Sequence, residues 1–359
     1  MRISGRGDVS SNSINPIKRV VKLLAFAVVF HFFILPQLGG AKEALSVIGT
    51  LSPLLLIVVV LLEGVAFLAY ARLTQMLLPS EIRPPLGTAF GSVLASTGVN
   101  HVVPGGAATT AAVNYRLLGH AGVPRQELGF ALGTQAIGSA VVLNIILWLA
   151  LLAAIPTSGF TPLFGTAAII GVVLIGGFSA IVFGLIRGGD AFANRVGDWA
   201  GRLPKVDAER VRKAMIKIEE QVVTLANDPK RLRTVVVLAA ANWLFDAAAL
   251  WVTLTAFGSR PGVIGVLVAH GLANLLAAVP VSPGGLGVIE AVLIPTLVGF
   301  GTPAAVAAVG VVAYRLANFW LPIPVGAVAY VVLERGVIID KRRSIRMELE
   351  KHMILREKG

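Results

Sequence analysis

Long apolar runs separated by polar, often basic, segments set the pattern of this chain. Runs at about 19–38, 45–71, 128–155, 163–186, 235–257 and 304–333 are each long enough, as helices, to cross a hydrocarbon core of ~30 Å. They predict six full membrane spans. Two other apolar regions, 86–120 and 262–300, are each broken in two by Pro-Gly-Gly. Bare backbone in hydrocarbon leaves N–H and C=O groups unpaired, so such a break persists only where protein encloses it or a wet cavity passes it. Both regions are therefore expected to be re-entrant helical hairpins. In the plainer alternative the same Pro and Gly residues end ordinary helices in external loops. The hairpins then cross fully, and the count rises to eight or more spans.

The two broken regions repeat one another. Pro104-Gly105-Gly106 is followed by fifteen residues and then Gly122-Val123-Pro124, and Pro283-Gly284-Gly285 by fifteen residues and then Gly301-Thr302-Pro303. Interrupted hydrophobic segments at matching positions of two halves mark discontinuous helices in transporter-like folds. Repeat one is expected over about 45–155 and repeat two over about 235–333.

Composition fixes the class. Of 359 residues, 56% are hydrophobic and 14% charged, with a mean hydropathy of +0.81, more apolar surface than one water-soluble core can hide. The expected fold is an all-α polytopic membrane protein. Cysteine is absent, which excludes disulfides, thiolate metal sites and cysteine nucleophiles. His31, His101, His120, His270 and His352 show no H-x-x-H or H-E-x-x-H spacing, so neither a metal nor another cofactor is expected. A P-loop motif is also missing from the sequence, which argues against direct drive by ATP. Net charge is +12. Its Lys and Arg stand beside apolar spans, the placement expected for membrane orientation and attraction to anionic lipid headgroups at the cytoplasmic face, not for nucleic acid.

Charge also predicts orientation. The stretch between spans four and five, about 188–233, carries Arg195, Arg202, Lys205, Arg210, Arg212, Lys213, Lys217, Lys230, Arg231 and Arg233. The tail, 336–359, carries Lys341, Arg342, Arg343 and Arg346, whereas the opposite loops hold only Lys42 and Arg260. Six crossings with the polar leader 1–18 and the tail both cytoplasmic satisfy every loop. The span before the first hairpin then runs inward and the span before the second runs outward. The repeats are thus expected to be inverted, hairpin one entering from the cytoplasm and hairpin two from outside, in a bacterial-type inner membrane. Val211, Met215, Ile218, Val222 and Leu225 recur at helical spacing and predict an amphipathic helix on the headgroups.

Candidate chemistry lies where polarity is costly. A helix that starts at depth after Pro-Gly-Gly points unpaired N–H groups into the membrane, a setting for phosphate or carboxylate. Gly105, Gly106, Ser282, Gly284 and Gly285 are the candidates for headgroup approach, with close helix packing as the alternative role of each glycine. Ionisable residues inside spans are rare and usually functional. Arg315, near the middle of span six, and Glu290, after the second turn, are candidate substrate contacts. Asp246 and Glu63 are candidates for tuning charge or coupling protons. A purely structural ion pair of Arg315 with Asp246 or Glu290 is the alternative. Arg116 is either a headgroup contact or a topology anchor. His101 and His270 flank the hairpin tips and could titrate, while Asn100, Asn274 and Asn318 suit helix-to-helix hydrogen bonds.

The string Ser282-Pro283-Gly284-Gly285-Leu286-Gly287-Val288-Ile289-Glu290 resembles the flippase-like transmembrane domain of the lysylphosphatidylglycerol synthase (multiple peptide resistance factor) family, and the resemblance covers roughly 20–335. It implies a membrane domain, 19–335, that translocates lipid. Thr109 and Ala112 stand where many relatives carry an acid and an Arg, leaving Arg116 as the nearest base of hairpin one. Full-length synthases add an aminoacyl transferase domain. This chain ends about 25 residues after its last span, so the resemblance implies a stand-alone member and not synthesis of the aminoacyl lipid. The expected activity is flipping of an anionic or aminoacylated phospholipid, or another lipid-linked phosphate, without enzymatic chemistry. The alternatives are an ion-coupled transporter of a small solute and an intramembrane lipid-modifying enzyme. No sequence feature sets the oligomeric state.

Overall fold

A computed structural model describes residues 53–103, 105–158, 227–278 and 282–336, with scattered residues between 176 and 225. The expected span 19–38, the span 163–186 apart from Gly176, the leader and the basic tail lie outside the described residues. So do Val211, Met215, Ile218 and Val222 of the expected amphipathic helix, while Leu225 packs against the apolar cluster that contains Leu77 and Leu118.

The described residues are helical, without strands. In chain order they form α1 (Pro53–Leu77), a 3-10 turn Ser80–Ile82, α2 (Leu86–Val102), α3 (Gly106–His120) and α4 (Arg125–Ser158). There follow α5 (Pro229–Ala256), α6 (Val263–Ala277), a 3-10 turn Pro283–Gly285, α7 (Val288–Gly299) and α8 (Ala304–Arg315). A π-helical turn, Leu316–Trp320, joins α8 to α9 (322–336). Among the described residues, four helical stretches are long and apolar enough to cross a membrane: Pro53–Leu77, Arg125–Ala154, Pro229–Ala256 and Ala304–Gly336. By contrast α2 has 17 residues, α3 and α6 have 15 and α7 has 12. At 1.5 Å per residue each is shorter than the ~30 Å hydrocarbon core.

Burial is reversed relative to a water-soluble bundle. Large apolar side chains face outward, among them Leu54, Leu61, Ile137, Leu149, Val237, Val328 and Val332, while Glu63, Gln135, Asn144, Asp246, His270 and Arg315 are buried. Lipid as solvent selects that arrangement, because a polar group is more costly on the outer face than against a partner inside. Inside, side-chain amides and hydroxyls tie the helices together. Thr74 donates to Gln135 Oε1 at 2.8 Å, Gln135 to the Tyr70 carbonyl at 2.9 Å, and Asn114 to Ser96 Oγ at 2.9 Å.

The sequence repeat closes with the same hydrogen bonds in both copies. Val123 N–H donates to Leu118 O at 3.1 Å and Thr302 N–H to Leu297 O at 3.0 Å; Gly122 N–H reaches Gly119 O and Gly301 N–H reaches Val298 O. Gly122 and Gly301 take φ of 92° and 89°, the left-handed cap that ends a helix with a bond back across its last turn. The following Pro124 and Pro303 carbonyls then accept the first bonds of α4 and α8.

The helices of the two halves interlock. α1 packs along α5, and α2 packs with α3 as α6 does with α7. α4 lies along α6, where a Cβ built on Gly271 would sit 3.0 Å from Leu147 Cβ, and α2 meets α9 where a Cβ on Gly98 would sit 2.6 Å from Pro322 O. Glycine there lets backbones approach within the reach of dispersion and weak C–H contacts. The Pro283–Gly285 turn rests against both α2 and α3. The second broken region thus touches the first.

Candidate functional site

The second glycine turn is built to keep side chains away. Gly284 and Gly285 adopt φ of 54° and 68°, where an L side chain is strained. A Cβ on Gly284 would also lie 2.5 Å from His101 Cδ2 and 2.6 Å from Phe319 Cε2. Ser282 closes the turn by donating to Leu286 O at 2.7 Å, and Glu290 accepts from the Gly287 N–H at 2.6 Å. That last bond caps the start of α7 with a carboxylate, satisfying a donor that the helix itself leaves free.

Arg315 reaches this turn from the end of α8. Its Nε donates to Glu290 Oε1 at 2.6 Å, Nη2 to the Gly284 carbonyl at 3.2 Å and Nη1 to Asn318 Oδ1 at 3.3 Å. Phe319 lies under the guanidinium, 4.4 Å from its centroid, within cation–π range. The side chain is 4% exposed, whereas Glu290 is 24% exposed, so the guanidinium is enclosed and its carboxylate partner stands at the edge. Both Asn318 and Phe319 sit in the π turn, where Leu321 N–H bonds to Leu316 O at 2.8 Å. One wide turn places Arg315, Asn318 and Phe319 around a single point, the kind of local departure from helix geometry that concentrates at functional sites.

Beside it lies a second polar group. Asp246 on α5 accepts from Tyr314 Oη, from Asn318 Nδ2 at 3.0 Å and, through Oδ2, meets His270 Nε2 of α6 at 3.0 Å. Glu63 on α1 meets the same Asn318 amide at 3.4 and 3.5 Å. His101 on α2 hydrogen-bonds the Phe319 carbonyl through Nδ1 at 2.9 Å and stacks on the Phe319 ring at 4.4 Å. Side chains from α1, α2, α5, α6, α7 and α8 thus meet at one enclosed polar junction.

The family profile described as Lysylphosphatidylglycerol synthase TM region matches residues 19–326, most of the chain. The chain belongs to this family. A UPF0104 membrane protein of Methanothermobacter thermautotrophicus is 28% identical over 118 residues, covering 33% of this chain and 35% of that protein. Inner membrane protein YbhN of Escherichia coli is 29% identical over 97 residues, or 27% of this chain and 30% of YbhN. A UPF0104 membrane protein of Methanocaldococcus jannaschii is 27% identical over 106 residues, or 30% and 31% of the two chains. The aligned part spans about a third of each relative's length. Membership fixes a multi-pass membrane protein of a lipid-related family.

Of the residues picked from sequence, the structure brings Glu63, Asp246, Ser282, Gly284, Gly285, Glu290 and Arg315 to the junction or its turn. Arg116 goes elsewhere: it pairs with Glu334 of α9 at 3.0 Å, with its side chain 57% exposed. Gly105 and Gly106 open α3 with φ of 146° and 53°, and a Cβ on Gly105 would collide with Thr109 Oγ1. Arg315 pairs with Glu290, the structural ion-pair possibility, and at the same time lies on the Gly284 backbone, the candidate headgroup surface. Sequence reading underrated three residues. Asn318 is the shared donor to two carboxylates and not simple helix glue, His270 is the direct partner of Asp246, and Tyr314 was not singled out. The spacing of Tyr314 and Asn318, one helical turn apart beside Arg315, was the available signal.

Proposed function

We propose that this protein carries the phosphate-bearing headgroup of an anionic or aminoacylated phospholipid, or of another lipid-linked phosphate, between leaflets while the acyl chains stay in lipid. The observation that carries the reading is Arg315, an enclosed guanidinium lying on the bare backbone of Gly284 with an edge carboxylate as its partner. An Arg fork matches phosphate oxygens in geometry and charge. Glu290 occupies the position such an anion would take. An arriving phosphate replaces it at Nε, and Glu290 keeps its bond to the Gly287 N–H. The exchange trades one charge-assisted pair for another, so it costs little and reverses readily, which a carrier requires.

In this reading α2–α3 and α6–α7 are re-entrant hairpins of inverted repeats, entering from opposite faces. Their short helices, their matched caps and the contact of the Pro283–Gly285 turn with α2 and α3 support it. Both termini lie in the cytoplasm. The substrate partner is membrane lipid, the basic segments hold anionic headgroups, and nucleic acid is no partner. The protein makes and breaks no covalent bond and uses no cofactor.

The test is a leaflet-resolved assay with headgroup-labelled phospholipids in liposomes containing the purified protein. Movement of label between leaflets, absent from empty liposomes, is the expected result. Uptake of a small solute without lipid movement would instead favour a solute transporter, and conversion to a new lipid species would favour an enzyme.

A further inference from the structure

The hydrogen bonds around Glu63 and Asp246 are unequal, and the inequality has a chemical consequence. Asp246 receives two donors, Tyr314 Oη and Asn318 Nδ2, meets His270 Nε2 at 3.0 Å besides, and is satisfied as an anion. Glu63 is 2% exposed and meets only the Asn318 amide, at 3.4 and 3.5 Å, an amide already bonded to Asp246. One amide nitrogen, Asn318 Nδ2, thus lies within 3.5 Å of oxygens from both carboxyl groups. A second ionised carboxylate so placed has no cation in contact with it among the described residues: Arg315, the guanidinium of this junction, is paired with Glu290. Burying an unpaired charge is costly, and two carboxylates at one enclosed site share a proton instead.

The groups facing the site from each helix are Glu63 of α1, His101 of α2, Asp246 of α5, His270 of α6, Glu290 of α7, and Tyr314 and Arg315 of α8. Three carboxylates stand against one guanidinium. His270 Nε2 is flanked by an acceptor, Asp246 Oδ2 at 3.0 Å, and by a donor, Asn274 Nδ2 at 3.2 Å. When it carries hydrogen it serves Asp246; when it does not, it accepts from Asn274. The surroundings therefore offer Nε2 a partner in either tautomer of His270.

We propose that Glu63, Asp246 and His270 form a binding site for an exchangeable proton, seated on Glu63 in the resting arrangement and linked to the Arg315 site through Asn318. Asn318 is the physical link: its Nδ2 serves both carboxyls and its Oδ1 accepts from Arg315. When a phosphate takes the guanidinium, Asn318 reorients and the Glu63–Asp246 pair changes its hold on the proton. On release, Glu63 becomes a carboxylate and the proton passes by way of Asp246 and His270 to the aqueous side that is open. This makes lipid movement a proton-coupled process, a step that rests on the translocation reading.

The experiment has two arms. Infrared difference spectra of the full-length protein in lipid, at neutral pH, are recorded with and without isotope-labelled glutamate. The expected result is a carbonyl band of a protonated carboxylic acid that shifts with the glutamate label and disappears in Glu63→Gln. Absence of a label-sensitive band overturns the proton site, and because labelled wild-type protein answers this, folding of the variant is not decisive. In liposomes holding labelled lipid, an imposed pH gradient is expected to skew the leaflet distribution at least twofold, with the skew lost in Glu63→Gln. Lipid movement indifferent to the gradient overturns the coupling. If no lipid moves at all, the translocation reading and the coupling both fail, and the proton site still stands or falls on the infrared band.

Discussion

Replacing Arg315 by Gln removes the centre of the proposed headgroup site, and its consequences separate binding from folding. The guanidinium makes contacts of 2.6 Å to Glu290, 3.2 Å to Gly284 O and 3.3 Å to Asn318, and lies 4.4 Å from the Phe319 ring. Breaking one side of a buried ion pair typically costs ~3–5 kcal/mol, because the other charge is left unpaired. Here Glu290 keeps the Gly287 N–H at 2.6 Å and its side chain is 24% exposed, so the lower end, about 3 kcal/mol, is expected. Glu290→Gln should cost a similar amount by stranding the guanidinium. In the double variant no charge is stranded, and two amides can bond one another. It should be no less stable than either single variant. Translocation behaves differently. Without the guanidinium a charge-assisted bond worth ~1.5–3 kcal/mol is lost, so Arg315→Gln and the double variant should both fall about tenfold to a hundredfold in rate. Denaturation in detergent and the leaflet assay, run on all four proteins, measure both quantities. Additive stability losses would refute the pair. Wild-type translocation by the double variant would refute the role assigned to Arg315.

Three further outcomes follow from the geometry. Gly284→Val should reduce translocation more than Gly310→Val at matched expression. Gly284 has positive φ against His101 and Phe319, whereas a Cβ on Gly310 meets Leu254 Cδ2 at 2.6 Å, the movable end of a side chain; equal losses would assign both glycines to packing alone. Gly98→Leu should lower stability by ~1–3 kcal/mol, since its Cβ would press on the Pro322 and Ile323 carbonyls at 2.6 and 3.3 Å, backbone that cannot rotate away; an unchanged melting curve in lipid would contradict the α2–α9 crossing. The natural lack of cysteine allows topology to be read directly. Arg83→Cys should react with an impermeant thiol reagent only from the cytoplasm and Arg260→Cys only from outside, while reaction of both from one face would remove the inverted arrangement.

Fold class was legible in sequence because lipid as solvent leaves few choices: the long apolar runs among the described residues are helices, and the runs at 128–155 and 304–333 fall within α4 and Ala304–Gly336. The repeat was legible down to its caps, since Gly122 and Gly301 need a backbone that other residues resist. Site membership was legible where a charge interrupts an apolar run, as at Glu63, Asp246 and Arg315. Partnership was not. Whether Arg315 meets Asp246 or Glu290 depends on the π turn that rotates Asn318 and Phe319 around it, and a one-residue change of helical register leaves no periodic trace in an apolar segment. Arg116 illustrates the converse: a base near the end of a hairpin reads alike whether it faces a headgroup or, as here, Glu334.

The most direct test of the central claim is to ask where a travelling headgroup goes. A phospholipid with a photoactivatable group on its phosphate headgroup is incorporated with the protein into liposomes, irradiated, and the adducts are mapped by mass spectrometry. The account predicts adducts at residues 282–287 and around Asn318, competed by unlabelled anionic lipid and lost in Arg315→Gln. Adducts confined to the outward apolar faces, with the glycine turn unlabelled in a preparation that moves lipid, would contradict it.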